Sequence, residues 1–359
     1  MKLSEVCTKG TSNIAQKDLD DRNGVYPIYG ASGFIKNVDF YHQEKPYIAI
    51  VKDGAGVGRV MQLPAKSSVI GTMQYIIPNE GVSVEYLAYA LEHMNLSKYY
   101  LGAAIPHIYF KDYCSETLPN HTPEEQAHIS HVLGLVCNLI SLRKQQLSKL
   151  DELVKSRFIE MFGSTILNPF GWKKDNLGAV CDVRDGTHDS PQYYETGYPL
   201  VTSKNVTGGK IDLTDCSLIC EADYKKINER SKVDMGDIIM PMIGTVGKPV
   251  IVDIEPSFAI KNVSLIKFKV DSRVLNIYIR ALLQSDYFDD AILSKVRGGT
   301  QKFISLGDIR KLEVLVPPMK LQEQFAVFVE QVDKSKFEIQ KSLEKLETLK
   351  KALMQKYFG

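Results

Sequence analysis

A mixed α/β architecture is predicted: two similar globular domains separated by two long helices that pair as an antiparallel coiled coil about a pseudo-twofold axis. Three observations predict it. Residues 102–163 and 298–359 repeat each other without a gap, 196 positions apart; one runs from GAAIPHIYFKD to LSKLDELVKSRFIEMFG, the other from GGTQKFISLGD to LEKLETLKKALMQKYFG. Each repeat closes on a long heptad-spaced stretch. Each is preceded by short apolar runs between glycine-rich turns, with one helical segment near the end, SVEYLAYALEHM at 83–94 or NIYIRALLQSDYFDDAIL at 276–293. That alternation is the pattern of a mixed α/β domain.

The chain therefore divides into a first domain at 1–121, a central long helix at 122–163, a second domain at 164–318 and a C-terminal long helix at 319–359. Ahead of the close repeat the match is looser but keeps its order. KLSEVC near the start is answered by NLGAVC at 176–181, and YPIYGASGFI at 26–35 by YPLVTSKNVTGGKI at 198–211.

The stretch YIAIVKDGAGVGRVMQL at 47–63 raises the question of a nucleotide loop. Its spacing argues against one. A dinucleotide fingerprint needs G-x-G-x-x-G, and Arg59 stands where the last glycine belongs; no G-x-x-x-x-G-K-[ST] occurs anywhere. The second copy, IIMPMIGTVGKPV at 238–250, puts Pro or Met at the place of Asp53 and keeps only V-G-[RK], as Val57-Gly58-Arg59 and Val246-Gly247-Lys248. A phosphate cradle would not tolerate those changes. A strand, a tight turn with one basic residue and a returning strand would.

The central helix opens at Thr122-Pro123-Glu124-Glu125, which supplies an N-cap, a proline at the first helical position and two acids at the positive end of the dipole. Ile129, Leu133, Val136, Ile140, Arg143, Leu147, Leu150, Val154, Arg157 and Met161 then step by alternating four and three. Phe325, Val329, Val332, Lys336, Ile339, Leu343, Leu346, Lys350, Leu353 and Tyr357 do the same in the C-terminal helix. About 36 residues at 1.5 Å each make a rod of about 55 Å, longer than a domain of this size is wide. Two matching seams in one chain bury each other, and chain direction makes the pair antiparallel. Gly163 and Gly359 supply C-terminal stops.

Composition sets the class. With 359 residues, 44% hydrophobic and 24% charged, the chain is ordinary globular protein with room for two or three cores. Its longest apolar stretch, VLGLVCNLISL at 132–142, is far short of a membrane span, and MKLSEVCTKG holds no secretory h-region. Six cysteines at 7, 114, 137, 181, 216 and 220 form no C-x-x-C pair. Reduced thiols, a cytoplasmic location and no membrane partner are expected. A net charge of +1 means that any nucleic-acid contact comes from local patches or from partners that supply positive field.

Two similar domains on a rigid rod match a pseudo-twofold target, and duplex DNA repeats every 34 Å or so. The layout of variable domain, long helix, variable domain, long helix resembles the specificity (S) subunit of type I restriction-modification systems. Particular strings agree: YPIYGASGFI and YIAIVKDGAGVGRV in the first half; DGTHDSPQY, LVTSKNV, GDIIMPMIGTVGK and GGTQKFIS in the second; TPEEQAHI and LQEQFAVF at the helix openings. The resemblance spans essentially the whole chain. It implies two target-recognition domains reading two half-sites of double-stranded DNA, and helices that fix the spacer and dock two methyltransferase (M) subunits, with restriction (R) subunits joining the assembly. It also implies a non-catalytic chain without cofactor, the S-adenosylmethionine, ATP and Mg belonging to partner subunits. Asn168-Pro169-Phe170 superficially resembles the N-P-P-[YF] motif of adenine methyltransferases, but the second proline is missing and no F-x-G-x-G accompanies it.

Base readers are Arg, Lys, Asn and Gln, supported by Ser, Thr and His, on loops at one face of each domain. In the second domain these are Thr187 and His188 in the DGTHDSP turn, Lys204 and Asn205 after a strand, Lys248 at the hairpin, and Arg297, Thr300, Gln301 and Lys302 around two glycines. In the first they are Lys36, Lys52, Arg59, Gln74, His107 and Lys111. No second His, Cys or acid stands at ligand spacing beside either histidine, so no metal is expected. Two other readings stay open on the residues alone: a degenerate methyltransferase built on the Gly54 loop, and a tandem-domain scaffold that binds protein through its helices.

Overall fold

A computed structural model describes residues 1–100, 106–243, 247–293 and 303–359. The chain packs as two units, residues 1–145 with 340–359 and residues 146–339. Each unit joins one globular domain to half of each long helix, so the boundaries at 121, 163 and 318 mark chain segments and not packing units.

The same sheet is built twice. In the first unit Cys7–Thr11, Met73–Pro78, Tyr47–Val51 and Val60–Leu63 lie side by side in that order, all antiparallel. In the second the order is Asp182–Asp185, Val263–Lys267, Ile238–Pro241 and Val250–Ile251, again antiparallel. A smaller sheet accompanies each. Gly33–Val38, Tyr26–Gly30 and Ser68–Val69 form one, Ser217–Ile219, Tyr198–Val201 and Ala259–Ile260 the other, with the third strand parallel in both.

Tyr47–Val51 is buried at all five positions because both its faces are covered. Ile48 and Ile50 pack with Leu87 and Leu91 of the helix Val84–His93, while Tyr47, Ala49 and Val51 turn to Val69 and Tyr75. The second unit repeats this sorting, with Ile238 and Met240 towards the helix Asn276–Leu283 and Ile239 towards Val201 and Ile260. Strands buried on both faces lose the polar alternation of a half-exposed strand.

The glycine loop is a hairpin. Tyr47–Val51 pairs with Val60–Leu63 from Tyr47↔Leu63 to Ile50↔Val60. Gly58 donates to Val51 O at 2.8 Å, Gly54 to Pro106 O at 2.9 Å, Val57 to Gly54 O at 3.2 Å and Arg59 to Gly56 O at 3.0 Å. Those N–H groups are spent inside the protein and are not free to hold a phosphate. Gly58 and Gly247 sit at φ +84° and +85°, a left-handed conformation that explains why a glycine stands at this place in both copies.

The long helices run Pro123–Phe162 and Met319–Phe358. Thr122 caps the first: its Oγ1 accepts the N–H of Glu125 at 3.3 Å, and the Glu125 carboxylate accepts the N–H of Thr122 at 2.8 Å. In each unit the two half-helices lie antiparallel. In the first unit Ile129 and Leu133 pack with Met354 and Tyr86, and Lys144 pairs with Glu347 at 3.2 Å. In the second, Lys336 pairs with Asp151, and the Phe158 and Phe325 rings meet at 5.6 Å. The seam positions Ile129, Leu133, Val136, Phe325, Val329, Val332 and Leu343 are buried, and Ile140, Leu147, Leu150, Val154, Ile339, Leu346 and Leu353 half-buried.

Near the helix ends the buried stripe moves one position on from the heptad reading. Phe158, Phe162 and Met354 are buried where Arg157, Met161 and Leu353 were expected to lead. The cause is the domain helix. Phe162 packs edge-on against Tyr278 at 4.8 Å, and its counterpart Phe358 lies 5.3 Å from Tyr86, so the Phe-Gly endings anchor each long helix to a domain.

Candidate nucleic-acid interface

Four basic or polar groups gather on the first unit's hairpin and the segment leading to its helix. Asp53 and His107 form an isolated antiparallel bridge, and the Asp53 carboxylate accepts from His107 Nδ1. Lys52 Nζ stands 3.9 Å from Asp53, and the His107 ring lies 4.0 Å from that of Tyr109. Lys111 Nζ sits 5.2 Å from the Tyr109 centroid, a cation–π contact on a half-exposed ring. Arg59 is exposed at the end of the turn and donates to Ala31 O at 2.9 Å. Of the expected readers, Lys52, His107 and Lys111 thus meet around Asp53 and Tyr109, two residues not among the expected readers, whereas Arg59 contacts neither.

Two expected readers in this unit are scaffold. Gln74 is 2% exposed on a central strand, its amide against the Tyr113 hydroxyl, so no base can reach it. Lys36 donates to the Leu19 and Asp20 carbonyls at 2.9 and 3.3 Å, closing the one-turn 3-10 helix Gln16–Leu19.

In the second unit His188 is the centre of a polar cluster. Its Nδ1 is 2.8 Å from Asn262 Oδ1 and its Nε2 is 3.0 Å from Asp185 Oδ2, and Asp185 also holds Arg230. Two facing oxygens favour the charged ring; the Asn262 contact first and Asp185 second raise its pKa above the usual histidine range. Thr187 Oγ1 accepts from Asp189 N at 3.2 Å, and Lys261 donates to Ser190 Oγ at 2.7 Å. Asp185, His188 and Asn262 line one side of a cavity of about 280 Å³; Met242, Ile243, Phe303, Ile304, Ser305 and Leu306 line the rest.

Asn205 is not a base reader either. It is 3% exposed, donates to the carbonyls of Asp212 and Asp215, and accepts from the Thr202 N–H and hydroxyl, a staple inside its own turn. Lys204 is exposed and lies 3.4 Å from Asp215, and Lys248 is exposed. Arg297, Thr300, Gln301 and Lys302 lie outside the described residues.

The bridges also fix the register between the copies. Ile243↔Phe303 in the second unit matches Asp53↔His107 in the first, and Ile304 N donates to Met242 O as Ile108 N does to Lys52 O, both at 3.0 Å. The counterpart of Asp53 is therefore Ile243, not the Pro or Met expected from the sequence repeat.

The chain thus carries a duplicated α/β domain with polar and aromatic loops, each copy closed by halves of two long helices. Residues 1–152 and 169–351 match the family model described as "Type I restriction modification DNA specificity domain", and the chain belongs to that family. It is 28% identical over 313 residues to the type I restriction enzyme MjaIX specificity subunit of Methanocaldococcus jannaschii, covering 78% of this chain and 69% of that one. It is 24% identical over 200 residues to the EcoKI specificity subunit of Escherichia coli K12, covering 52% and 42%. The fold is similar to the crystal structure of a type I S subunit from M. genitalium, with TM-score 0.59 and 15% identity over 100% of this chain and 95% of that one. A structure described as showing complex assembly and conformational transition of the type I R-M system aligns with TM-score 0.52 and 17% identity, over 99% and 96%. Among the described residues no helix is long and apolar enough to cross a membrane.

Proposed function

We propose that this chain is the sequence-reading, non-catalytic subunit of a type I restriction-modification complex, in which two recognition domains held at a fixed separation by the paired helices read a bipartite, asymmetric duplex target. The supporting observation is the duplication itself: one sheet order, one bridge and one helix anchor occur in both units, and the loops that end on them differ in chemistry. Each long helix of 40 residues is about 60 Å long at 1.5 Å per residue. Half-sites one to two turns of duplex apart, with an unread spacer, suit such a rod.

The helices also dock two methyltransferase subunits, and restriction subunits join through them. S-adenosylmethionine, ATP and Mg serve those partners. Exposed leucines on the helix sides away from the seam support docking, because large apolar side chains on a solvent face mark interaction surfaces. The test is to express the chain with its cognate methyltransferase subunit and map methylated bases genome-wide. A single bipartite motif with a fixed spacer, lost when this chain is omitted, is expected. A soluble complex that leaves the genome unmethylated would overturn the reading.

A further inference from the structure

The matched bridges Asp53↔His107 and Ile243↔Phe303 share a backbone and differ completely in chemistry. In the first unit the position is polar. The contact between Asp53 and His107 Nδ1 orients the ring and leaves Nε2 turned away from the carboxylate, where the tautomer protonated at Nδ1 carries an acceptor lone pair. Tyr109 packs on the ring and Lys111 on Tyr109, and the His107 side chain is 26% exposed. In the second unit the position is apolar. Phe303 is 42% exposed and, with Ile243, borders a cavity that Met242, Ile304 and Leu306 make largely apolar.

Phe303 is exposed at the edge of a partly apolar cavity, which places its ring to meet an apolar group. Among base edges, the thymine methyl is the apolar one, and the amino groups of adenine and cytosine are the donors an imidazole acceptor meets. The side chains also sit where readers must be rigid, on bridges that are each pinned by a backbone hydrogen bond; in the first unit Lys52 stands beside Asp53 and Lys111 beside Tyr109, cations that can hold phosphates.

We propose that this bridge is a specificity-determining position in both units: His107, held by Asp53, accepts from a base amino group in one half-site, and Phe303 with Ile243 covers a thymine methyl in the other. The proposal rests on the reading that each unit contacts one half-site of duplex DNA.

The experiment exchanges the two chemistries in the full complex with the methyltransferase subunit and reads the methylated motif by genome-wide sequencing. The variants are His107→Phe with Asp53→Ile, and Phe303→His with Ile243→Asp. Each is expected to change the accepted base at one position of one half-site, with at least a tenfold change in methylation of single-mismatch sites. The other half-site and the spacer stay as they were. Where an exchange fails to give a soluble complex, the single variants His107→Leu, which removes the acceptor, and Phe303→Gln, which removes the apolar cover, are read in the same way. A wild-type motif with unchanged mismatch tolerance in soluble variant complexes overturns the proposal and leaves the bipartite reading standing. Failure of the unaltered chain to direct any bipartite motif overturns both, and that result precedes any variant.

Discussion

The side-chain oxygen of Gln322 accepts the backbone N–H of Leu275 at 2.8 Å, and 196 residues earlier Gln126 accepts that of Ser83 at 3.0 Å. In each unit this ties the first turns of a long helix to the N-terminus of the domain helix, Asn276–Leu283 or Val84–His93. Both glutamines are buried, and their amide nitrogens are used as well: Gln322 donates to Arg273 O and Pro317 O, Gln126 to His121 O. Replacing Gln322 with Leu strands one N–H and two carbonyls, and stranded buried polar groups cost about 1–3 kcal/mol each. Chemical denaturation of Gln322→Leu is expected to show a loss of about 3 kcal/mol, and Gln126→Leu a smaller one, since it breaks fewer bonds.

The hairpin glycines give a second test. An alanine Cβ at Gly58 would stand 2.5 Å from Ser97 N, and at Gly247 2.8 Å from the Phe288 ring, both at left-handed φ. Gly81 has the same φ, +81°, and nothing within 4 Å of its Cβ. Gly81→Ala therefore isolates the conformational cost, about 1 kcal/mol, while Gly58→Ala adds a backbone clash and is expected to lose at least about 2 kcal/mol more. Equal losses at both positions would show that the contact with Ser97 relaxes freely.

Much of the fold was legible in the residues because helices and caps act locally. The T-P-E-E opening, the heptad seams and the Phe-Gly endings each name their own geometry. The site was less legible, because residue type does not say which way a polar side chain points. Gln74 lies in MQYIIP, a strand buried on both faces from Met73 through Ile76, so no alternation marks it as interior. Asn205 follows a strand like a loop reader, yet its amide closes the turn it sits in. Phe303 and Ile243 were not among the expected readers; the backbone bridges, which the sequence does not display, make them the counterparts of His107 and Asp53. Gln126 and Gln322 stood in the quoted helix openings, but their role depends on partners 43 and 47 residues away.

His188 is expected to titrate above the ordinary histidine value of about 6.5. Asn262 is the larger cause and Asp185 the next. A raised folded pKa means that the histidine's contribution to stability is fully present below the unfolded value and is lost as pH rises through the folded one. The ring is 60% exposed, so that contribution is small, and the titration itself is the sensitive readout. Proton NMR of the imidazole should give an elevated midpoint that falls in Asn262→Ala and in Asp185→Asn. A midpoint indifferent to Asn262 would reassign the cause.

Leu135, Leu139 and Leu142 are 52, 45 and 53% exposed at spacings of four and three along the central helix, on a different side from the buried Leu133 and Val136. A seam position and this outer stripe should respond in opposite ways. Leu133→Ala removes a fully buried side chain and is expected to cost about 3 kcal/mol of stability. Replacing the three outer leucines with Gln keeps good helix formers and removes no buried contact, so far-UV circular dichroism and the unfolding midpoint should hardly move. If the stripe docks a methyltransferase subunit, the triple variant no longer co-purifies with that subunit while remaining folded. Retention of the partner at wild-type stoichiometry would place docking elsewhere on the chain.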